Sequence, residues 1–224
     1  MEQNAPDTLY EAVCEKLTRV CTLAWQEGMF AALNGNASMR LPAPHDDLMA
    51  VTATGTAKGR LRPEDFCLAD WKSGAVLRGG RLSSECAVHQ ALYEALPDTC
   101  HAVLHTHPPK LMALSLVVSQ PAFLDMPLFE CDMWRPHLGF VPHLAPGTKE
   151  LGEAVGQAAR ELVARNPKAA ENGALWLAGH GLCCFGSSLA TTLDLSEEME
   201  HLAEIQLLSL GAREIQRNNH GGFA

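Results

Sequence analysis

The run His101-Ala102-Val103-Leu104-His105-Thr106-His107-Pro108-Pro109 constrains the fold more than any other segment of the chain. Successive side chains of a strand point to opposite faces, so His105 and His107 share one. Pro108 and Pro109 lack the N–H groups that would continue a ladder, so the strand has to stop there. A strand ending directly after a His-x-His pair presents two imidazoles at a sheet edge, where they can converge on one ion within reach of a substrate. Taken alone, the pair reads equally well as two hydrogen-bonded histidines at a strand end.

A further histidine shifts that balance. Residues 173–178, Gly-Ala-Leu-Trp-Leu-Ala, read as a buried strand running into Gly179-His180-Gly181, and an apolar run resumes from Leu182 to Phe185. His180 therefore sits at the tip of a tight connection, with a glycine on either side to allow unusual backbone and close approach. A turn histidine facing solvent is the plainer reading. Three histidines with one open position, however, form a common catalytic zinc arrangement, and His105, His107 and His180 supply such a set.

Ser83-Ser84-Glu85 opens a third element. Ala87, Val88, Ala91, Leu92 and Ala95 recur at helical spacing, which predicts a helix with Ser84 as N-cap and Glu85 in its first turn. Acidic residues favour helix starts for dipole reasons alone. Two hydroxyls and free N–H groups at a helix start also make an anion site.

Together these segments resemble the class II aldolase/adducin family. The loop Asn34-Gly35-Asn36-Ala37-Ser38-Met39-Arg40 is similar to the family's Gly-Asn-x-Ser-x-Arg loop, and Thr54-Gly55 to its Thr-Gly phosphate turn. Ser83-Ser84-Glu85 resembles its Ser-Ser-Glu element, while His105, His107 and His180 fall where the family places metal histidines. Pro146-Gly147-Thr148-Lys149-Glu150-Leu151 is a further recurring segment, and the likeness runs from about residue 9 to 210, with the motifs in order.

The resemblance implies a three-layer α/β/α fold around a mixed or antiparallel sheet, a homotetramer with sites near subunit boundaries, and a fuculose-phosphate-aldolase-like activity. It implies that Glu85 alternates between ligating the resting ion and acting as general acid/base. A substrate phosphate would sit on Asn36, Thr54, Gly55, Ser83 and Ser84. Zinc suits imidazole ligands and is redox-inert, with manganese or cobalt as substitutes. As a Lewis acid the ion would stabilise the enediolate left when a neighbouring C–C or C–H bond breaks. The expected reaction is aldol cleavage or formation in a ketose or ketose phosphate. Dehydration, decarboxylation and epimerisation of a sugar phosphate are the alternatives on the same scaffold. Glutamate at position 85 favours the aldolase branch over the epimerase branch, where aspartate is usual. One departure stands out: the family's aldolases place a tyrosine, lent by a neighbouring subunit, after the His-x-His segment, and this chain has only Tyr10 and Tyr93. Asp125, Glu130 and His137 are the substitute candidates. A non-catalytic, adducin-like interaction module would have lost the metal residues that are all present here.

Composition agrees with an enzyme of this kind. With 224 residues, 47% of them hydrophobic and 19% charged, the chain can bury a substantial core and is expected to form one domain over 1–224. No signal peptide or membrane-spanning run is evident, which predicts a cytoplasmic protein with no membrane partner. The eight cysteines show no Cys-x-x-Cys spacing and read as buried thiols. A net charge of −9 argues against nucleic acid as a partner, so an anionic sugar must be held locally. Arg40, Lys58 and Arg60 are the nearby cations, unless they are ordinary surface charges.

The remaining elements follow from periodicity and punctuation. Asp7 is expected to cap a first helix carrying Leu9, Val13, Leu17, Val20 and Leu23. Short strands are predicted around 38–41, 48–53, 66–70, 75–77, 123–129 and 138–142. Helices are predicted over 110–118, 148–165 and 189–212.

Overall fold

The computed structural model describes residues 5–220. Its helices are α1 (Ala5–Gln26), α2 (Cys86–Ala95), α3 (Pro109–Ser115), α4 (Phe129–Trp134), α5 (Lys149–Arg165) and α6 (Leu189–His220). Its strands are β1 (Asn36–Arg40), β2 (Leu48–Thr52), β3 (Phe66–Asp70), β4 (Val76–Arg78), β5 (Ala102–Thr106), β6 (Leu138–Val141), β7 (Asn172–Leu177) and β8 (Gly181–Gly186). They form one sheet in the order β4-β3-β2-β1-β5-β8-β7-β6. Every pairing is antiparallel except β6 with β7.

Helices cover both faces, giving the expected three-layer α/β/α architecture with a mixed sheet. On one face, Val88 and Leu92 of α2 and Leu151, Val155, Ala159 and Leu162 of α5 pack on Val51, Val103, Leu175 and Phe185. On the other, Tyr10, Val13, Cys14, Leu17 and Cys21 of α1 cover β1, β2 and β5. Those α1 positions follow helical spacing, so one stripe of the helix is buried. Leu195, Met199 and Leu202 of α6 then join Leu111 and Leu114 of α3 over β7 and β8. β5 and β8 are buried along their whole length, as central strands under two helical layers must be. All eight cysteines are buried free thiols. No described helix is long and apolar enough to cross a membrane.

Several expectations need correction. Residues 123–129 form no strand: a short 3₁₀ turn at Gln120–Ala122 leads into irregular chain, and α4 begins at Phe129. Prolines at 121 and 127 leave few N–H groups for a ladder, and the segment is instead tied to α6 by Leu124 N–H donating to Gln206 Oε1 at 2.8 Å. Asp7 lies inside the first turn of α1 and pairs with Arg78 at 3.3 Å, because the helix starts earlier than the cap pattern suggests. Ser84 does not cap α2. The helix begins at Cys86 with Glu85 in the N-cap position, and the Glu85 side chain makes no capping bond. Pro108 and Pro109 do end β5, and they also start α3, where proline's fixed φ suits the first turn.

Candidate metal centre and active site

β5, at the middle of the sheet, carries His105 to its end, and the chain leaves the ladder with His107. The two rings project to one side, as strand alternation requires. His105 is only 1% exposed, and its Nδ1–H donates to Leu182 O of β8 at 3.0 Å. That bond fixes the tautomer and turns the Nε2 lone pair toward the site. The β7–β8 connection supplies His180, whose backbone N–H closes a tight turn on Leu177 O at 2.9 Å. Gly179 takes φ +69°, a left-handed value that side-chain-bearing residues rarely adopt. Gly181 is needed for a different reason: a Cβ there would fall 2.5 Å from Thr106 O and 3.1 Å from the His105 ring. A bare backbone is what lets the turn fold onto the two strand histidines.

The three Nε2 atoms meet. His105 Nε2 lies 3.2 Å from that of His107 and 3.3 Å from that of His180. Nitrogens this close need a shared proton or a cation between them, and the three residues form a group able to hold a metal ion. Glu85 completes the cluster, with Oε1 2.8 Å from His180 Nε2 and Oε2 3.4 Å from His105 Nε2. Despite that approach, the buried Oε1 makes no hydrogen bond of acceptable geometry. A buried carboxylate oxygen facing imidazole nitrogens without bonding them fits a fourth ligand to a shared ion.

Electrostatics point the same way. Burial, reinforced by the neighbouring imidazoles, holds His105 well below the ordinary histidine range, against the pull of Glu85. Burial and His180 likewise lower His107. Both are therefore neutral, as metal-binding imidazoles must be. Burial acts to raise the Glu85 carboxyl, but His180, His105 and the Asn36 amide outweigh it and keep the group ionised.

Beside this cluster opens a cavity of about 180 Å³, lined by Leu33, Asn34, Gly35, Asn36, Ala53, Thr54, Gly55, Lys58, Ser83, Ser84, Glu85, His107 and His180. It unites the three polar segments expected to hold an anion, while His105 stands just behind its wall. Ser83 Oγ accepts from Glu85 N–H at 3.2 Å, which leaves the Ser84 hydroxyl exposed to the cavity. Asn36, the register partner of His105, donates from Nδ2 to Glu85 Oε2 at 2.7 Å.

Of the three candidate cations, Lys58 alone lines this space. Its Nζ donates to Leu33 O at 2.9 Å and Thr56 O at 2.7 Å, leaving one of three N–H groups uncommitted. Arg40 points elsewhere: its guanidinium bonds Asp46 and Pro97 O and lies over the Trp71 ring. Arg60 is exposed outside the cavity. Asp125, Glu130 and His137 also lie outside it; Asp125 faces Arg135 at 3.4 Å, Glu130 is exposed, and His137 bonds Asn172 O at 2.6 Å. A larger cavity of about 760 Å³, lined by Gln120, Asp125, Arg135 and Arg165 among others, brings together no comparable set of ligands. Sequence reasoning passed over His89 and gave Ser38 and Tyr93 no role of their own, and all three stand buried behind Asn36. Helical spacing from Glu85 was the one signal that could have flagged His89.

Known proteins resemble the chain in sequence and fold. Residues 15–207 match the family described as "Class II Aldolase and Adducin N-terminal domain". A methylthioribulose-1-phosphate dehydratase of Methylococcus capsulatus is 29% identical, the match covering 92% of this chain and 98% of that protein. The 3-oxo-tetronate 4-phosphate decarboxylase of Escherichia coli is also 29% identical, over 96% of this chain and 94% of that one. Among solved structures, YgbL of Klebsiella pneumoniae superposes with a TM-score of 0.72 at 28% identity, covering 91% of this chain and 92% of its own. With a family match that spans residues 15–207 and the three-layer topology shared with its solved neighbours, this protein belongs to the class II aldolase/adducin family.

Proposed function

We propose that the chain is a zinc-dependent lyase acting on a phosphorylated ketose-like substrate. The observation that carries this reading is the meeting of three imidazole Nε2 atoms and one ionised carboxylate at the wall of a cavity rich in hydroxyl and N–H donors. His105, His107 and His180 would hold a divalent ion, with Glu85 as a fourth ligand until substrate takes its place, and the ion would supply Lewis-acid polarisation of the substrate carbonyl; the imidazole set suits zinc, with manganese or cobalt as substitutes. Glu85 removes the proton from the carbon beside that carbonyl. It then returns the proton to the hydroxyl leaving the next carbon, which departs as water. Asn36 holds the Glu85 carboxylate in place, and Ser83, Ser84, Thr54, Gly55 and Lys58 hold the anionic end.

Within the lyases, dehydration or decarboxylation is favoured over aldol cleavage. Either needs one proton-moving group, and Glu85 is the carboxylate that lines the cavity among the described residues. Aldol cleavage asks for a second group at a more distant hydroxyl, and Asp125, Glu130 and His137 stand away from the site. The relatives named for dehydration and decarboxylation support the same choice. A cytoplasmic homotetramer belongs to this reading, with the exposed Leu116, Val117 and Phe129 as apolar surface to cover. An adducin-like role without chemistry is disfavoured by the complete set of metal-site residues.

The decisive experiment offers the zinc-loaded protein methylthioribulose 1-phosphate, 3-oxo-tetronate 4-phosphate and fuculose 1-phosphate, and identifies products by mass. Loss of water or of carbon dioxide from one of the first two is expected. Cleavage of fuculose 1-phosphate alone would restore the aldolase reading, and no product from any would remove the substrate class.

The anion site has its own test. Ser84→Ala and Lys58→Met should each raise KM for a phosphorylated substrate, a lost bond to a charged group costing about 1.5–3 kcal/mol. The uncharged analogue should be nearly indifferent. An equal rise for both substrates would mean that these residues shape the cavity without holding the anion.

A further inference from the structure

β1 and α2 face each other with a second, deeper set of polar side chains. Strand alternation puts Asn36 and Ser38 on one face of β1, and a spacing of four puts Glu85, His89 and Tyr93 on one face along α2. The two rows interleave. Asn36 Nδ2 meets Glu85 Oε2 at 2.7 Å, Asn36 Oδ1 meets His89 Nε2, His89 Nδ1 meets Ser38 Oγ at 2.6 Å, and Ser38 Oγ meets Tyr93 Oη at 2.7 Å. Asn36 is 3% exposed, and Ser38, His89 and Tyr93 are wholly buried. Such a network is costly unless every member is satisfied, and here the whole chain of bonds ends on one carboxylate.

Chemistry fixes the direction of each bond. An ionised carboxylate only accepts, so Asn36 must turn its NH₂ to Glu85 and its oxygen to the imidazole. An amide oxygen only accepts, so His89 Nε2 must carry the proton. A neutral ring then leaves Nδ1 as an acceptor, filled by the Ser38 hydroxyl, and the Ser38 oxygen accepts from Tyr93. Burial holds His89 neutral, pushing it down to about 4 against the pull of Glu85. Four donors thus point one way, from Tyr93 through Ser38, His89 and Asn36 to Glu85. A proton wire is excluded, because an amide cannot pass a proton on without giving up its ordinary form.

We infer that His89, held as its Nε2–H tautomer by Ser38, is a positioning residue that locks the Asn36 amide so that its NH₂ faces Glu85. Without that lock the amide is free to rotate and to set its oxygen against the carboxylate. The Glu85 carboxylate then loses both its orientation and a donor. This inference rests on the reading of Glu85 as the proton-moving group, and its first test is independent of turnover.

In zinc-loaded protein labelled with ¹⁵N-histidine, the resonance pair missing from His89→Gln identifies His89. A pyrrole-like Nε2 and a pyridine-like Nδ1 are expected. A pyrrole-like Nδ1, or a doubly protonated ring, overturns the inference whatever the enzyme does. The second test is kinetic. His89→Leu removes the donor and should lower kcat about tenfold or more, the size of one lost hydrogen bond, with KM and bound zinc little changed. Glutamine can donate to Asn36 and accept from Ser38 at once, so His89→Gln should recover most of that loss. A leucine variant with wild-type kcat, or a glutamine variant no better than leucine, would show that His89 only fills space. Should the leucine variant fail to fold, the glutamine variant and the tautomer decide. Should wild-type protein turn over none of the substrates, the substrate reading has failed and the tautomer alone decides this one.

Discussion

His107→Ala is expected to take bound divalent metal from one ion per chain toward zero and to abolish turnover, while the fold survives. His107 is the appropriate choice among the three. It is partly exposed at the cavity wall, beyond the last residue of β5, so its removal leaves little buried space. His105, at 1% exposure and bonded to Leu182 O, would leave a hole between β5 and β8, and lost folding would mimic lost metal. Elemental analysis after reconstitution with zinc is the measurement. Undiminished metal in His107→Ala would disprove the site. Acid should act similarly on the wild-type protein. His105 and His107 are held below the unfolded histidine value of about 6.5, so the unfolded chain binds more protons between those limits. The stability they confer by staying neutral is complete above about pH 6.5 and is lost as pH falls through the folded values. Metal binding weakens in the same window, because the ligands must be unprotonated.

How far the site could be read from residues depended on whether local geometry or distant packing decides a side chain's direction. His105 and His107 were legible because strand alternation and two prolines fix face and end point without knowledge of any neighbour. His180 was legible because its flanking glycines announce a turn between buried strands. The helix starting near Glu85 was legible as an element, but not to the residue. Ser84 resembles an N-cap by composition, while the structure bonds Ser83 Oγ to Glu85 N–H and starts the helix at Cys86. Arg40 misled for another reason. It lies next to the polar loop in sequence, yet its guanidinium is claimed by Asp46, Pro97 and Trp71, contacts from segments that the loop itself says nothing about.

The stretch 116–137 was the least legible part. Its hydrophobic residues suggested a strand, whereas Phe123 and Leu124 are buried against α6 by way of Gln206, an arrangement with no local periodicity. His89 failed to stand out because a histidine among Ala, Val and Leu on a helix face looks like a residue merely filling the core. Its role emerges once β1 is placed opposite α2, and that is a fact of tertiary structure.

The remaining large effect concerns proton movement. Glu85→Gln keeps the length and hydrogen-bonding outline of the side chain but removes the group that titrates. The three imidazoles stay as ligands, so zinc should remain bound. Asn36 loses its charged acceptor but can still donate to the carbonyl oxygen of the substituted amide, so the buried network should hold. Turnover should nonetheless fall by about 10²–10⁴-fold, the range typical of a lost general acid or base. KM should change little, because the proposed anion contacts, Ser84, Lys58 and the Thr54–Gly55 turn, are left in place. Glu85→Ala should be worse than Glu85→Gln, because it also leaves the buried Asn36 amide without its acceptor. Measuring kcat, KM and metal content on both variants separates the two roles given to one carboxylate. Near-normal turnover in Glu85→Gln with zinc in place would mean that another group, from this chain or from a neighbouring subunit, moves the proton. Full loss of zinc in Glu85→Gln would mean that the residue is a ligand first and that its part in proton transfer is unproven.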